Sequence, residues 1–184
     1  MLSFTQAGLL PTGDHPMTIR ALRQSPLVVG PWGRSAEWDQ WWRRTLVDSL
    51  EVLFEQLLLV GITNVYANGS FTSNKNRPED IDGYFTCDFS EFASHQHPEL
   101  VKLNPAWNLA DRRRDENGRL KPLMWHRHRI ELHPHFHAPL HGLSPAGVGP
   151  NGLPMYFPAF FRQTRSGEPK GIVRLLRDNH HASQ

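Results

Sequence analysis

Apolar residues recur at intervals of three and four over one long segment, which is the pattern of an amphipathic helix. Ser35 is a suitable N-cap for this helix, and Gly61 can end it. The pattern predicts a helix of roughly seven turns that covers one face of a β-sheet. We expect its first tryptophans to be core or contact residues, with nucleotide stacking by Trp41 or Trp42 as an alternative. The apolar positions are Trp38, Trp41, Trp42, Leu46, Leu50, Leu53, Phe54, Leu57 and Leu58.

Shorter apolar runs bounded by glycine, proline and polar residues predict β-strands. In one of these runs Ile130 and Leu132 share a face of the strand. Glu131 lies on the opposite, polar face together with Arg129 and His133. The predicted strands are residues 62–67, 81–87, 125–136 and 172–176.

The remaining chain is rich in residues that interrupt regular structure, with 14 glycines and 15 prolines. Residues 1–34 sustain no helical period and are interpreted as an N-terminal arm with a brief helix near residues 17–23. Residues 177–184 are polar, and we expect this tail to be frayed. Because 184 residues without an internal linker suit one modest core, we expect a single domain over residues 1–184.

Composition narrows the classes of protein to consider. The formal net charge of +2 is close to neutral, so charge alone does not indicate a nucleic-acid-binding protein. The only cysteine, Cys87, excludes an intramolecular disulfide and fits a reducing cytosol. The sequence shows neither a signal-peptide pattern nor an apolar stretch of membrane-spanning length. We therefore expect a cytoplasmic protein without a membrane partner.

Candidate chemistry is concentrated in the loop and strand that follow residues 62–67. Asp80 and Asp82 are two residues apart, so on a strand both carboxylates point to one face. Such a pair suits a hard divalent cation with oxygen ligands, Mg²⁺ above all. Upstream, Gly69 allows the backbone to approach a ligand closely, and Ser70 offers an amide and a hydroxyl to a phosphate. Together these residues indicate phosphoryl or nucleotidyl transfer.

The same residues carry a family resemblance. Gly69-Ser70, nine intervening residues and the Asp80-x-Asp82 pair resemble the signature of the nucleotidyltransferase superfamily, which has the polymerase-beta-like fold. Three stretches extend the resemblance to a group of small bacterial proteins of unassigned function with a nucleotidyltransferase-like domain. These stretches are GLLPTGDH at residues 8–15, the core at residues 69–83, and FFRQTR to PKGIV over residues 160–173.

The resemblance implies an α/β (α+β) fold, in which a small mixed β-sheet has helices packed on one face and a metal–nucleotide site on the other. It also implies that the N-terminal arm is ordered. In the superfamily a third carboxylate comes from a strand beside the Asp-x-Asp strand, and Glu131 is the best match in this sequence, one methylene longer than the more usual Asp. Asp80, Asp82 and Glu131 would then be the catalytic residues and would hold two Mg²⁺ ions.

The implied reaction transfers a nucleoside monophosphate from an NTP such as ATP to a hydroxyl of RNA (tRNA included), a protein or a small molecule. Gly69 and Ser70 would hold the terminal phosphates. Lys75 in the intervening loop and Lys170 in a late turn are the lysines considered for the triphosphate. Resemblance to small bacterial nucleotidyltransferases also suggests a toxin–antitoxin or phage-defence system, with an antitoxin protein as partner.

Other functions stay open at this point. The fold could serve as a catalytically inactive nucleotide-binding or protein-interaction module. The chain could instead be a His-rich transition-metal protein, because six histidines lie within sixteen residues, although Pro134 interrupts their alternation. The charged run at residues 111–116 is interpreted as a solvated helix end or loop, with a basic patch for RNA or triphosphate as the alternative. The histidines are His126, His128, His133, His135, His137 and His141.

Overall fold

The computed structural model describes residues 2–136, 147–148 and 154–178 of the chain. Within them the fold is α+β, as predicted, with a five-stranded mixed sheet and helices. The strands are β1 Asp14–Thr18, β2 Val65–Asn68, β3 Ile81–Cys87, β4 Arg112–Arg114, β5 Leu120–Pro122, β6 Ile130–Phe136, β7 Gly147–Val148, β8 Pro154–Met155 and β9 Ile172–Leu176. The α-helices are α1 Ile19–Gln24, α2 Pro26–Val29, α3 Gln40–Leu59, α4 Phe89–Glu91, α5 His97–Leu103 and α6 Leu123–His128. A π-helical segment, Phe92–Gln96, joins α4 to α5, and short 3₁₀ turns span Gly69–Thr72, Pro105–Trp107 and Ala159–Arg162.

The main sheet has the strand order β1-β9-β2-β3-β6. β1 runs parallel to β9, and β3 runs parallel to β6, whereas β2 is antiparallel to both of its neighbours. β4 and β5 form a separate antiparallel hairpin, and β7 pairs with β8. The pairing of β3 with β6 determines the position of the candidate site, because it places Asp82 directly beside Glu131.

The two faces of the sheet pack against different partners. Alternate residues such as Ile81, Phe85, Ile130 and Leu132 point into the main core, which they share with the apolar side of α3. The opposite face carries a smaller cluster centred on the buried ring of Tyr84. Helices therefore cover one face, and aromatic side chains from the segment around Ala159–Arg162 cover part of the other. The other residues of this second cluster are Tyr66, Phe157, Phe160, Phe161 and Ile172.

The long helix is shorter than the sequence pattern predicts. α3 has 20 residues, and Asp39, rather than Ser35, caps it by accepting a 2.8 Å hydrogen bond from the amide of Trp42. Trp38 precedes the helix and is buried, and its indole donates to a backbone carbonyl. The irregular segment before Asp39 mimics a helix because its Trp38 lies three and four residues before Trp41 and Trp42. Trp41 is 73% exposed, whereas Trp42 packs against the core and donates its indole N–H to a backbone carbonyl.

Residues 125–136 do not form one strand, so that prediction was wrong at its start. α6 occupies Leu123–His128, and Arg129 ends it with a left-handed φ of 55° before β6 begins. Leucine, methionine and arginine in this segment favour a helix, which explains the departure. Arg129 does not share a strand face with Glu131, because its guanidinium lies over the ring of Trp125 at 3.9 Å. From Ile130 onward the predicted alternation is confirmed, and Glu131 lies on the face opposite the main core.

The N-terminal arm contains a strand that the hydrophobic pattern does not indicate. β1 pairs with β9, so the arm is part of the sheet rather than only packed on the domain. Its polar sequence, DHPMT, has no strand signature, and its partner lies far away along the chain. The brief helix predicted near residues 17–23 is α1. The arm also supports the turn after β2, since the amide of Leu10 donates to the carbonyl of Thr72 at 3.1 Å.

Of the remaining predictions, some agree with the structure and others do not. β3 and β9 have the predicted bounds, and β2 begins three residues later than predicted. The charged run at residues 111–116 contains β4, an exposed strand, so its interpretation as a helix end or loop was wrong. Of the tail predicted to be frayed, residues 179–184 lie outside the described residues. None of the helices that the structure describes combines the length and apolarity needed to cross a bilayer.

Arg43, a fully buried residue of α3, fixes the loop that follows β2. Its guanidinium lies 4.0 Å from the centre of the ring of Trp38. The same group connects a carbonyl before α3 with three carbonyls of residues 71–75, so one cation holds two segments in place. The acceptors are the carbonyls of Leu27 at 2.7 Å, Phe71 at 2.9 Å, Ser73 at 3.0 Å and Lys75 at 2.5 Å.

Replacing Arg43 by methionine is expected to destabilise the protein, because four carbonyls lose their donor. At about 1–3 kcal/mol for each buried polar group left without a partner, the free energy of unfolding should fall by at least about 3 kcal/mol. Urea denaturation followed by circular dichroism measures this change. Arg44→Met is the matched control, because Arg44 is the exposed neighbour on the same helix, and its effect should stay within about 0.5 kcal/mol. Equal stability of the two variants would contradict the role given to Arg43.

Candidate functional site

Three carboxylates from two adjacent strands converge on one point. Asp82 belongs to β3, and its register partner on the parallel strand β6 is Glu131. Asp80 directly precedes β3, two residues from Asp82 and therefore on the same side of the chain. One oxygen from each carboxylate lies within 4.8 Å of the other two. In the part of the chain that the structure describes, no other group of three His, Cys, Asp or Glu side chains comes together in this way.

The site is largely shielded from water. Asp80 and Glu131 are only 8% and 7% exposed, and Asp82 is partly buried. Carboxylates in such surroundings repel one another more strongly than in water, because the effective dielectric constant is lower. A cation among them is therefore the arrangement that physical chemistry favours.

Gly69 allows β2 to turn directly against Asp82. Asn68, the last residue of β2, lies opposite Asp82 in the antiparallel pair, and Gly69 follows with a φ of +79°. A Cβ atom at this position would come within 2.4 Å of Asp82 Oδ2. Glycine avoids both the strained backbone and this clash. The observed position of the Asp82 carboxylate therefore requires glycine at position 69. The 3₁₀ turn Gly69–Thr72 then places Ser70, partly exposed, next to the site.

Asn68, which the sequence analysis did not single out, connects this turn to the end of the chain. Its side chain is fully buried, and its Oδ1 accepts the amide proton of Gly69 at 2.7 Å. Its Nδ2 donates to the carbonyls of Phe161 at 2.7 Å and Gly171 at 3.2 Å. The amide of Gly69 is therefore occupied by an internal hydrogen bond, so Ser70 is the better candidate for holding a phosphate.

Two further side chains that sequence reasoning missed contact the carboxylates. Lys121 of β5 donates from Nζ to Glu131 Oε1 and lies 3.4 Å from Asp80 Oδ2. Trp125 of α6 donates its indole N–H to the same oxygen of Asp80 at 2.8 Å. The turn signal at residues 117–118 could have indicated the hairpin that carries Lys121. Nothing local in the sequence, however, shows that this hairpin folds over the two strands of the site.

The two lysines considered from the sequence lie in different environments. Lys170 donates from Nζ to the carbonyl of Gly69 at 3.0 Å, and its charge acts on Asp82. Lys75 is exposed, and its backbone carbonyl, rather than its ammonium, is bonded to Arg43. Within the described residues Lys170 is thus the lysine beside the glycine turn, and a role for Lys75 stays a prediction.

The charged groups of the site shift one another's protonation. Burial raises the pKa of Asp82 to about 7, and the negative charges of Asp80 and Glu131 act in the same direction. Burial also lowers the pKa of the Lys170 ammonium to about 8, while the charge of Asp82 opposes this shift. The surroundings of Asp82 therefore resist its ionisation, and a bound cation would remove that resistance.

The described histidines do not gather into a metal-binding group. His126 contacts a backbone carbonyl, His128 contacts an asparagine side chain, and the ring of His133 stacks on a phenylalanine. His133 also lies 4.0 Å from Glu131 Oε2, and burial lowers the pKa of its imidazole. His137 and His141, which belong to the predicted cluster, lie outside the described residues.

Comparison with known proteins gives one result that identifies the chain's relatives. No curated protein and no solved structure matches the sequence. One family model matches residues 2–176, which include every residue of the candidate site. The chain therefore belongs to the family of unknown function DUF6932.

Proposed function

We propose that this protein is a Mg²⁺-dependent nucleotidyltransferase, which transfers a nucleoside monophosphate from an NTP to a hydroxyl of RNA, a protein or a small molecule. The observation that supports this proposal most is the convergence of Asp80, Asp82 and Glu131 beside the turn at Gly69 and Ser70. A cluster of carboxylates next to a glycine turn provides ligands for metal ions and contacts for phosphate in one place.

The residues present fit a bound Mg²⁺ ion. The ligand set consists only of carboxylate oxygens, which this hard cation prefers. Among the described residues no hydrogen bond is donated to the carboxylate of Asp82, and Gly69 packs against this carboxylate without a side chain that could cover it. When bound, Mg²⁺ would neutralise phosphate charge and lower the pKa of an acceptor hydroxyl.

The chain's own groups have separable roles in this proposal. Asp80 and Asp82 are the proposed metal ligands at the start of β3. Glu131, on the edge strand β6, adds a third carboxylate to the same site. The hydroxyl of Ser70 and the ammonium of Lys170 are assigned to the terminal phosphates of the NTP, because both lie at the Gly69 turn. Positive charge there stabilises the negative charge that develops as pyrophosphate departs.

A cavity of about 70 Å³ beside Glu131 is the position that suits the acceptor. It lies between the β4–β5 hairpin and β6, and Arg112, Met124 and His133 are among the residues that line it. Glu131 takes part in both the carboxylate cluster and this cavity. An acceptor hydroxyl bound here would therefore lie next to the carboxylate that is to orient it.

One observation favours a second candidate function, a nucleotide-binding module without turnover. Lys121 already forms ion pairs with Glu131 and Asp80, so the carboxylates have a cation even without metal. Binding of NTP without release of pyrophosphate would identify this second function.

The proposed activity predicts that label from an NTP moves onto an acceptor. Purified protein is incubated with each α-³²P-labelled NTP, Mg²⁺ and a cell extract, and labelled macromolecules are separated by electrophoresis. Asp80→Asn and Asp82→Asn should each lower the transfer by roughly 10²-fold or more, since removing one preorganised electrostatic group already costs about 10²–10³ in kcat.

Asp178→Asn is the matched control, because Asp178 is an exposed aspartate of the described chain that does not belong to the carboxylate cluster. This variant should label acceptors as the wild type does. Transfer that persists unchanged in both site variants would rule out the proposed role of the carboxylates.

A second prediction concerns metal binding and pH. Because the pKa of Asp82 is raised to about 7, protons compete with Mg²⁺ strongly at pH 6 and only weakly at pH 8. At ten times the dissociation constant, Mg²⁺ adds about 1.4 kcal/mol of stability, which corresponds to a rise in Tm of about 3–6 °C. Differential scanning fluorimetry at a fixed Mg²⁺ concentration should therefore show a larger rise at pH 8 than at pH 6.

The metal-free protein should show the opposite trend. The folded state keeps the proton of Asp82 to higher pH than the unfolded chain, so the contribution of Asp82 to stability falls as the pH rises from about 4 to about 7. Asp82→Asn should remove this fall and most of the Mg²⁺ effect, with equal ionic strength maintained by NaCl. A Mg²⁺ effect of the same size at both pH values and in the variant would exclude Asp82 as a ligand.

A further inference from the structure

The β4–β5 hairpin holds a cation inside the carboxylate cluster. Arg119, immediately before β5, pairs with Glu79, and Lys121, two residues later, contacts the next acidic residue, Asp80. Residues two apart on an extended chain point to the same side, so the hairpin presents both cations to this acidic segment. Lys121 also donates to Glu131, and its side chain is only 17% exposed.

The hairpin itself is fixed at both ends. The guanidinium of Arg119 also pairs with Asp115 across the turn at residues 117–118, and the amide of Leu123 donates to the carbonyl of Asp111 at 2.8 Å. A lysine on a strand anchored in this way is not a mobile surface side chain. Its position between two carboxylates is thus a fixed part of the site.

Lys121 contacts only one oxygen of each of its two carboxylate partners among the contacts that the structure describes. It contacts Oε1 of Glu131 and Oδ2 of Asp80, and Trp125 donates to the same Asp80 oxygen. These hydrogen bonds do not use the second oxygen of Asp80 or the carboxylate of Asp82, and the second oxygen of Glu131, Oε2, lies 4.0 Å from His133 Nε2. Three ionised carboxylates and the ammonium of Lys121 carry a net charge of −2, and Lys170, whose charge also acts on Asp82, reduces it to −1. One divalent cation is therefore enough to neutralise the cluster.

We propose that Lys121 takes the place of one of the two metal ions expected from the sequence, so that the nucleotide-free protein holds a single divalent cation next to Asp82. The inference rests on the proposed metal site and specifies its composition. Lys121 is then a positioning residue, since it keeps Glu131 and Asp80 in place for that ion. A second ion would have to displace an ammonium that is bonded to both carboxylates.

The experiment counts bound ions with Mn²⁺ as the probe, by electron paramagnetic resonance of unbound Mn²⁺ in titrations of nucleotide-free protein. The wild type should bind one Mn²⁺ per chain. Lys121→Met keeps the length of the side chain but removes its charge, and it should bind two. Lys121→Arg restores a cation and should return the number to one.

Lys102→Met serves as the control, because Lys102 is a 70% exposed lysine that pairs with Glu99 elsewhere on the surface. It should bind one Mn²⁺, like the wild type. Circular dichroism and thermal unfolding confirm that each variant is folded. If Lys121→Met does not fold, the wild type and Lys121→Arg still test the inference, because two ions in either would overturn it.

The remaining outcomes separate the inference from the proposed function. One ion in both the wild type and folded Lys121→Met would overturn the role of Lys121 and leave the metal site intact. Binding in Lys121→Met alone would also overturn it, because Lys121 would then exclude metal altogether. No binding to any variant would contradict the metal-dependent function itself, and the inference with it.

Discussion

Mutual repulsion of three carboxylates within 4.8 Å of one another is the constraint that the rest of this structure must satisfy. The parallel register of β3 and β6 forces Asp82 and Glu131 together, and Asp80 follows from the two-residue period of the strand. Part of the repulsion is relieved by Lys121 and by the indole of Trp125, and the remainder adds to the effect of burial in raising the pKa of Asp82. The β4–β5 hairpin and α6, which lie outside these two strands, thus stabilise the carboxylate cluster by donating hydrogen bonds to it.

The turn and loop after β2, where the proposed phosphate contacts lie, are held instead by hydrogen bonds to backbone carbonyls. Asn68 uses both ends of its buried amide to join the glycine turn to the carbonyls near the last strand. Arg43 holds the following loop by its carbonyls. Because Gly69 already donates its amide internally, the turn is rigid before any ligand arrives. Such preorganisation is what a phosphate-binding turn requires, since little conformational entropy is then lost on binding.

The sequence predicts those parts of this site that depend on local spacing. Asp80 and Asp82 can be placed on one face from their separation, and Glu131 can be placed on the polar face of its strand from alternation with Ile130 and Leu132. Lys121 and Asn68 could not be found, because their importance arises from contacts with residues 10 to 103 positions away. β1 was missed for the same reason, since its only strand signal is a partner near the other end of the chain. The strand that contains β6 was predicted to begin too early for a local reason. Tryptophan and histidine in residues 125–128 are compatible with either a strand or the helix that forms.

The guanidinium of Arg43 and the ammonium of Lys121 differ in whether a metal ion could take their place. Arg43 spreads its charge over a planar guanidinium that meets four carbonyls in different directions, and no compact ion reproduces that geometry. Lys121 presents a compact ammonium to carboxylates, which is the same environment that a divalent cation selects. Its charge is half that of Mg²⁺, so it neutralises less of the cluster and leaves the demand for a further cation at Asp82. In the proposed site, a lysine at this position would offset part of the carboxylate repulsion in the metal-free fold and leave negative charge to attract an ion.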